Sequence, residues 1–184
     1  MFRIIIVFFL LNFYNPALSS VKEKIILKLE QIESLSFNFK QTINEKTEEG
    51  NCIIKYPKKI YCTYNNYNKK IMVSNGKSLV IKNKNNNQYY FYSLEKTPLE
   101  LILDKSYLIK KIKKLKARII NDKYYNFSLE ENNNKINIFF DKRTLNLVGW
   151  QTEDIYQNLV IIFMSKVKFN QNYNDDIFRL PKMN

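Results

Sequence analysis

The chain has 184 residues, of which 45% are hydrophobic and 15% aromatic. That is too apolar for a disordered segment and enough for one domain with its own core. Three Gly and four Pro exclude collagen-like and low-complexity chains. The formal net charge of +13 suits nucleic acid or an anionic membrane, but Lys and Asn are spread through every loop, as a general compositional bias would spread them.

Residues 1–19 read as a secretory signal. Arg3 supplies the basic flank, Ile4 to Leu11 the apolar stretch, and Ala17 and Ser19 the small residues of a cleavage site after Ser19. The apolar run stops at Asn12, short of a bilayer span. No Cys follows the cleavage site to carry a lipid anchor, so a soluble mature domain over 20–184 is expected, exported to the periplasm.

Val21, Ile25, Leu29 and Ile32 recur at helical spacing and predict an amphipathic helix over 21–34. From Leu35 the period becomes two: Leu35, Phe37 and Phe39 alternate with Ser36, Asn38 and Lys40. Glu45 to Asn51 reads as a polar turn. Cys52 to Tyr56 and Ile60 to Tyr64 read as strands about Pro57-Lys58. Lys70 to Ser74 and Ser78 to Lys82 read as a hairpin about Asn75-Gly76. Gln88 to Tyr92 is an aromatic strand.

Thr97-Pro98-Leu99-Glu100 then predicts a helix start, with Thr97 as N-cap and Glu100 placed for a capping box. Leu99, Ile102 and Leu103 share one face of that helix. A second short helix is expected over Ser106 to Lys111. Strands resume at Leu115 to Ile120, Tyr124 to Leu129, Lys135 to Phe140, Leu145 to Gln151 and Leu159 to Lys168. About ten strands in meander order predict an antiparallel sheet curled into a barrel or half-barrel.

Nothing in the chain points to catalysis. With no His, Ser or Cys nucleophiles have no imidazole base. Two Cys without His make a poor metal set, and no cofactor is expected. Cys52 and Cys62 stand five residues either side of Pro57. If the turn centres there they oppose each other, either as a disulfide or as two buried thiols.

Several short signatures occur in a fixed order: Phe39-Lys40-Gln41, Pro57, Val73-Ser74-Asn75-Gly76-Lys77, and Thr97-Pro98-Leu99. Near the end stand Asp154, Asn170 and Phe178-Arg179-Leu180-Pro181. Together, over about residues 21 to 181, they resemble the LolA family of periplasmic lipoprotein carriers. The resemblance implies a mainly β fold with short helices: an unclosed antiparallel half-barrel whose apolar concave face is covered by a helical lid. It implies a carrier of triacylated lipoproteins, loaded by an ATP-driven inner-membrane complex and unloaded to an outer-membrane acceptor or to the membrane itself. Neither nucleic acid nor a second copy is an expected partner.

On that reading the acyl chains would contact Phe37, Phe39, Ile54, Ile60, Cys62, Ile71 and Val73 on the strands, and Leu99, Ile102 and Leu103 on the lid. The same residues would also serve as ordinary core. Where the family carries an Arg before the Pro, to hold the lid by its helix backbone, this chain has Tyr56. Tyr56 is thus the expected lid contact, with one phenolic donor in place of a guanidinium. Two other readings stand beside the carrier: a related half-barrel that senses lipid or lipoprotein in envelope maintenance, and a basic barrel that binds polyanions.

Overall fold

The computed structural model describes residues 20–67, 69–86, 88–131, 134–154 and 156–182. The expected signal segment, residues 1–19, lies outside the described residues. Eleven antiparallel strands form one sheet: β1 (Ser34–Ile43), β2 (Lys46–Lys55), β3 (Lys59–Tyr64), β4 (Lys70–Asn75), β5 (Ser78–Asn83), β6 (Tyr89–Ser93), β7 (Arg118–Ile120), β8 (Tyr124–Glu131), β9 (Asn134–Asp141), β10 (Leu147–Glu153) and β11 (Leu159–Phe169). Three helices accompany them: α1 (Val21–Glu30), α2 (Leu99–Leu103) and α3 (Lys105–Lys114).

The order across the sheet is β6-β5-β4-β3-β2-β1-β11-β10-β9-β8-β7. It consists of two meanders joined where the first strand pairs with the last. The sheet does not close, because β6 and β7 form its two edges. They are consecutive in sequence, so the segment between them must travel from one rim to the other. That segment carries α2 and α3, and topology alone therefore lays them across the mouth.

Helix α1 ends at Glu30, four residues before the expected limit. The Asn170 side chain accounts for the early stop. Its Oδ1 accepts from the Glu33 N–H at 2.8 Å and its Nδ2 donates to Gln31 O at 2.9 Å, drawing the chain into β1 beside the end of β11. At the other end Ser20 and Glu23 form a capping box. Helices α1 and α3 also cap each other. The Lys105 ammonium bonds Glu30 O and Ile32 O, and the Lys22 ammonium bonds Lys113 O and Leu115 O. A cation at each carbonyl end satisfies orphan acceptors and complements the helix dipole.

The polar stretch 45–51 is not a turn. Asn44 and Glu45 alone make the turn, both at positive φ, and the rest is the first half of β2. Gly50 is required there, since a Cβ would stand 2.1 Å from Thr63 O and 2.7 Å from the Phe39 ring. The strand expected from Leu115 shrinks to β7, because Leu115 caps α3. The strand expected from Leu145 begins at Leu147, because Leu145 sits in the preceding turn at positive φ.

One hydrophobic cluster runs from α1 (Ile25, Leu29) through α2 and α3 (Ile102, Leu103, Leu108, Ile112) to the inner face of the sheet. The sheet contributes Leu35, Phe37, Ile54, Ile60, Phe127, Ile138 and Trp150, among others. No helix of the described residues is long and apolar enough to cross a membrane.

Candidate functional site: an apolar cavity beside a latched lid

Directly opposed residues of an antiparallel pair share a face, so the ladder assigns the concave surface residue by residue. Phe37 opposes Cys52, Cys52 opposes Cys62, and Ile54 opposes Ile60. The same face continues through Met72 and Ser74 on β4, then Ile81 and Leu79 on β5, then Tyr90 and Tyr92 on β6. Phe37, Phe39, Ile54, Ile60 and Cys62 thus lie on the concave face, with Ile102 and Leu103 of α2 buried in the same cluster. Their exposures run from 0 to 4%, so in this state they are sealed core.

Ile71 and Val73 are placed differently from expectation. Both lie on the opposite face of β4, Ile71 against Lys82 and Val73 against Val80. They are buried there because the C-terminal segment straps across the outer surface. Its 3-10 turn Asp175–Phe178 packs on β3 and β4, and Phe178 is 2% exposed. Asp175 bridges the Lys55 and Lys59 ammonium groups at 2.7 and 2.9 Å. These two cations, Lys55 first, pull its carboxyl down to about 2.

Open space lies at one end of the concave face. A cavity of about 260 Å³ is lined by Ile43 of β1, Met72 of β4, Leu79 and Ile81 of β5, Tyr92 of β6, Trp150 of β10, and Val160 and Ile162 of β11. Thr97, Pro98 and Leu99 at the start of the lid form one wall. Of the residues expected from sequence, Leu99 alone lines it. Leu79 and Ile81 could not be told from Val80 by pattern, since all three are apolar, and Trp150 follows a register shift in β10, so its being the sole Trp of the chain was the one signal. Trp150 packs edge-on against Phe37 at 6.4 Å, which couples the cavity wall to the sealed core.

The cavity floor ends in a polar network. The Tyr64 hydroxyl donates to Gln41 Oε1 at 3.3 Å, Gln41 Nε2 donates to Glu48 at 3.3 Å, and Lys70 pairs with Glu48. The Lys70 ammonium also stands 3.9 Å above the Tyr64 ring. Burial raises the Tyr64 phenol well above its ordinary value. At the rim, Asp154 holds the β10–β11 loop by accepting from the Tyr156 and Asn158 N–H groups, at 2.8 and 2.9 Å.

The lid is latched by Lys58. Its N–H donates to Leu103 O at 2.9 Å, and its ammonium reaches Glu100 Oε1 at 2.8 Å and Asp104 Oδ2 at 3.3 Å. The hydrogen bond to Glu100 is the main cause that raises the Lys58 pKa. Tyr56, the expected lid contact, makes no such bond. Its hydroxyl is buried and unpartnered among the described residues, and burial alone raises its pKa. It meets the lid through its ring, with the Lys105 ammonium 5.5 Å from the centroid.

The latch also explains the missing capping box. Glu100 turns to Lys58, while the Thr97 hydroxyl donates back to Leu94 O at 2.8 Å. Cys52 and Cys62 are joined as a disulfide on the concave face under the lid, with Cα atoms 4.1 Å apart. Three rungs along the ladder the Asn65 N–H bonds Glu49 O, and since bonded and non-bonded pairs alternate, Cys52 and Cys62 form one of the close, non-hydrogen-bonded pairs.

These residues define an unclosed sheet whose apolar interior is roofed by a strap of short helices. The family described as outer membrane lipoprotein carrier protein LolA matches residues 30–181, and this chain belongs to it. A LolA superfamily protein from Nitrosomonas europaea has a similar structure at 10% identity, covering 88% of this chain and 99% of its own, with a TM-score of 0.45. A DUF1329 family protein from Desulfovibrio piger is similar at 7% identity, 86% and 95% coverage, and a TM-score of 0.44. The Pseudomonas aeruginosa MucA/MucB complex contains a chain similar at 9% identity, 89% and 62% coverage, and a TM-score of 0.46. Among curated protein sequences, none is significantly similar to this chain.

Proposed function

We propose that this protein is a periplasmic carrier that holds the acyl chains of lipoproteins between its sheet and its lid and moves them from the inner to the outer membrane. The reading makes it a binding protein and not an enzyme. The observation that carries it is the apolar cavity at the edge of the lid, continuous through Trp150 with the larger apolar surface beneath α2 and α3. At about 0.8 kcal/mol per buried methylene, three acyl chains cost on the order of 30 kcal/mol to carry through water bare. Only an apolar enclosure of similar extent offsets that.

The cavity of about 260 Å³ is smaller than the roughly 300–1,000 Å³ of sites that enclose one drug-sized ligand. With the lid latched by Lys58, the cavity is too small for three acyl chains. Loading requires the lid to leave Phe37, Ile54, Ile60 and Cys62. On this reading an ATP-driven inner-membrane complex supplies the cargo, and an outer-membrane acceptor or the membrane itself receives it.

The experiment is native mass spectrometry of the mature protein after incubation with membranes that contain a triacylated lipoprotein. A soluble one-to-one complex is expected, and Ile162→Glu in the cavity wall should abolish it. Only phospholipid, or no ligand, on the wild-type protein would shift the reading to a lipid-sensing half-barrel. Capture that is equal in both variants and lost at high salt would point to polyanion binding at the surface.

A further inference from the structure

The two edges of the sheet are finished differently. β7 is three residues long, begins at Arg118 and follows Lys113, Lys114 and Lys116. Short length and basic charge are the usual guards against a foreign strand. β6 is Tyr89-Tyr90-Phe91-Tyr92-Ser93, with no charge, Pro or Gly, and Tyr90 and Phe91 are 41% and 58% exposed. It carries none of the guards.

The ladder shows which backbone groups β6 offers. The Asn83 N–H donates to Gln88 O and the Leu94 N–H to Lys77 O, both at 2.9 Å. Every second pair between these two marks is hydrogen-bonded, so Tyr90 pairs with Ile81 and Tyr92 with Leu79. Tyr89 and Phe91 therefore turn their N–H and C=O groups away from β5, toward the open edge. No described residue bonds them there.

This edge borders the cavity. Tyr92 lines it, and so do Leu79 and Ile81 on the adjoining strand. A strand added to β6 would extend the cavity wall by one more strand. We propose that β6 receives, by main-chain pairing, the extended polypeptide that follows the lipid-bearing residue of the cargo, while the acyl chains enter beside Tyr92. This deepens the carrier reading and rests on it. Main-chain bonds read no side chains, so such a seat accepts lipoproteins of unlike sequence.

The test titrates the mature protein with a triacylated cysteine amide, and with the same triacylated cysteine carrying a short peptide, following Trp150 fluorescence. The peptide should tighten binding roughly tenfold, as a few net hydrogen bonds less ordering cost would give. Phe91→Pro removes one outward N–H and leaves the β5 pairing intact, as proline at an edge position can. It should erase the gain and leave the affinity for the triacylated cysteine unchanged. A peptide N-methylated at alternate residues should lose the gain on the wild-type protein, and so tests pairing even if Phe91→Pro fails to fold.

No gain from the peptide, or the same gain with Phe91→Pro and with the N-methylated peptide, overturns the proposal while the carrier reading stands. Failure to bind either ligand overturns both. A wild-type dimer that Phe91→Pro makes monomeric would assign β6 to a second copy of this chain and overturn the cargo seat.

Discussion

Replacing Lys58 with Met keeps the side chain's apolar stem and its backbone bond to Leu103 but removes the ammonium that ties down the lid. Its contacts to Glu100 and Asp104, at 2.8 and 3.3 Å, are half-exposed, with side chains 25 to 31% accessible. Pairs of this kind are worth about 0.2–1 kcal/mol each, and two that share one cation together contribute about 1 kcal/mol. That corresponds to a shift of about fivefold toward the open lid. Hydrogen exchange is the direct assay. The Asp104 and Leu108 N–H groups, which bond Glu100 O and Asp104 O within the lid, should lose about fivefold in protection. Amides of β2 and β3 should not change. Because the latch raises the Lys58 pKa above its ordinary 10.5, its contribution is complete below that pH and fades as pH rises through the raised value. Lys59→Met is the control, since Lys59 holds Asp175 on the outer face. Equal lid protection in Lys58→Met and wild type, or equal loss in Lys58→Met and Lys59→Met, would refute the latch.

Tyr56→Phe should leave stability unchanged or raise it by about 1 kcal/mol in chemical denaturation, because it removes a buried hydroxyl without a partner; a loss of 2 kcal/mol would show that the hydroxyl is bonded. Replacing both Cys52 and Cys62 with Ser should cost roughly 3 kcal/mol, the chain-entropy value for a loop of this length, read from denaturant midpoints under oxidising conditions. Asp175 contributes fully above its ordinary 3.8 and loses its contribution as pH falls through about 2, so exchange of the 175–178 amides should accelerate between those pH values. Asp175→Asn should remove that pH dependence. Acylated ligand should perturb the fluorescence of the single Trp, Trp150, and Met72→Glu in the same cavity wall should abolish the response.

Local pattern carried β1 and β3, where one face is buried and the other half-wet, so that alternation marks the inside directly. It failed at β4, where Ile71, Met72 and Val73 are apolar on both faces. The choice between them depends on the C-terminal strap, about a hundred residues later, which covers the outer face and frees Met72 for the cavity. It failed at 46–51 because the rim of the sheet is solvated on both sides and reads as a turn. The helix start was legible to within one residue, with Pro98 and not Thr97 at the N-cap, and the expected capping box gave way because Glu100 gains a cation in Lys58. Likewise the lid contact moved two residues along the turn, from Tyr56 to Lys58, because the lid meets that turn through backbone and charge.

The helical roof over the sheet is fastened at both ends. One end continues from β6 at one rim and the other runs into β7 at the opposite rim. It cannot swing like a flap with a free tip. It can clear the interior only if the rims approach or the strap grows longer. A helical residue spans about 1.5 Å and an extended one about 3.3 Å, so unwinding the five residues of α2 releases about 9 Å of slack. A helix this short has little stability of its own. The Lys58 contacts to Glu100 and Leu103 fall on that stretch, so the latch holds a spring wound as well as a door shut.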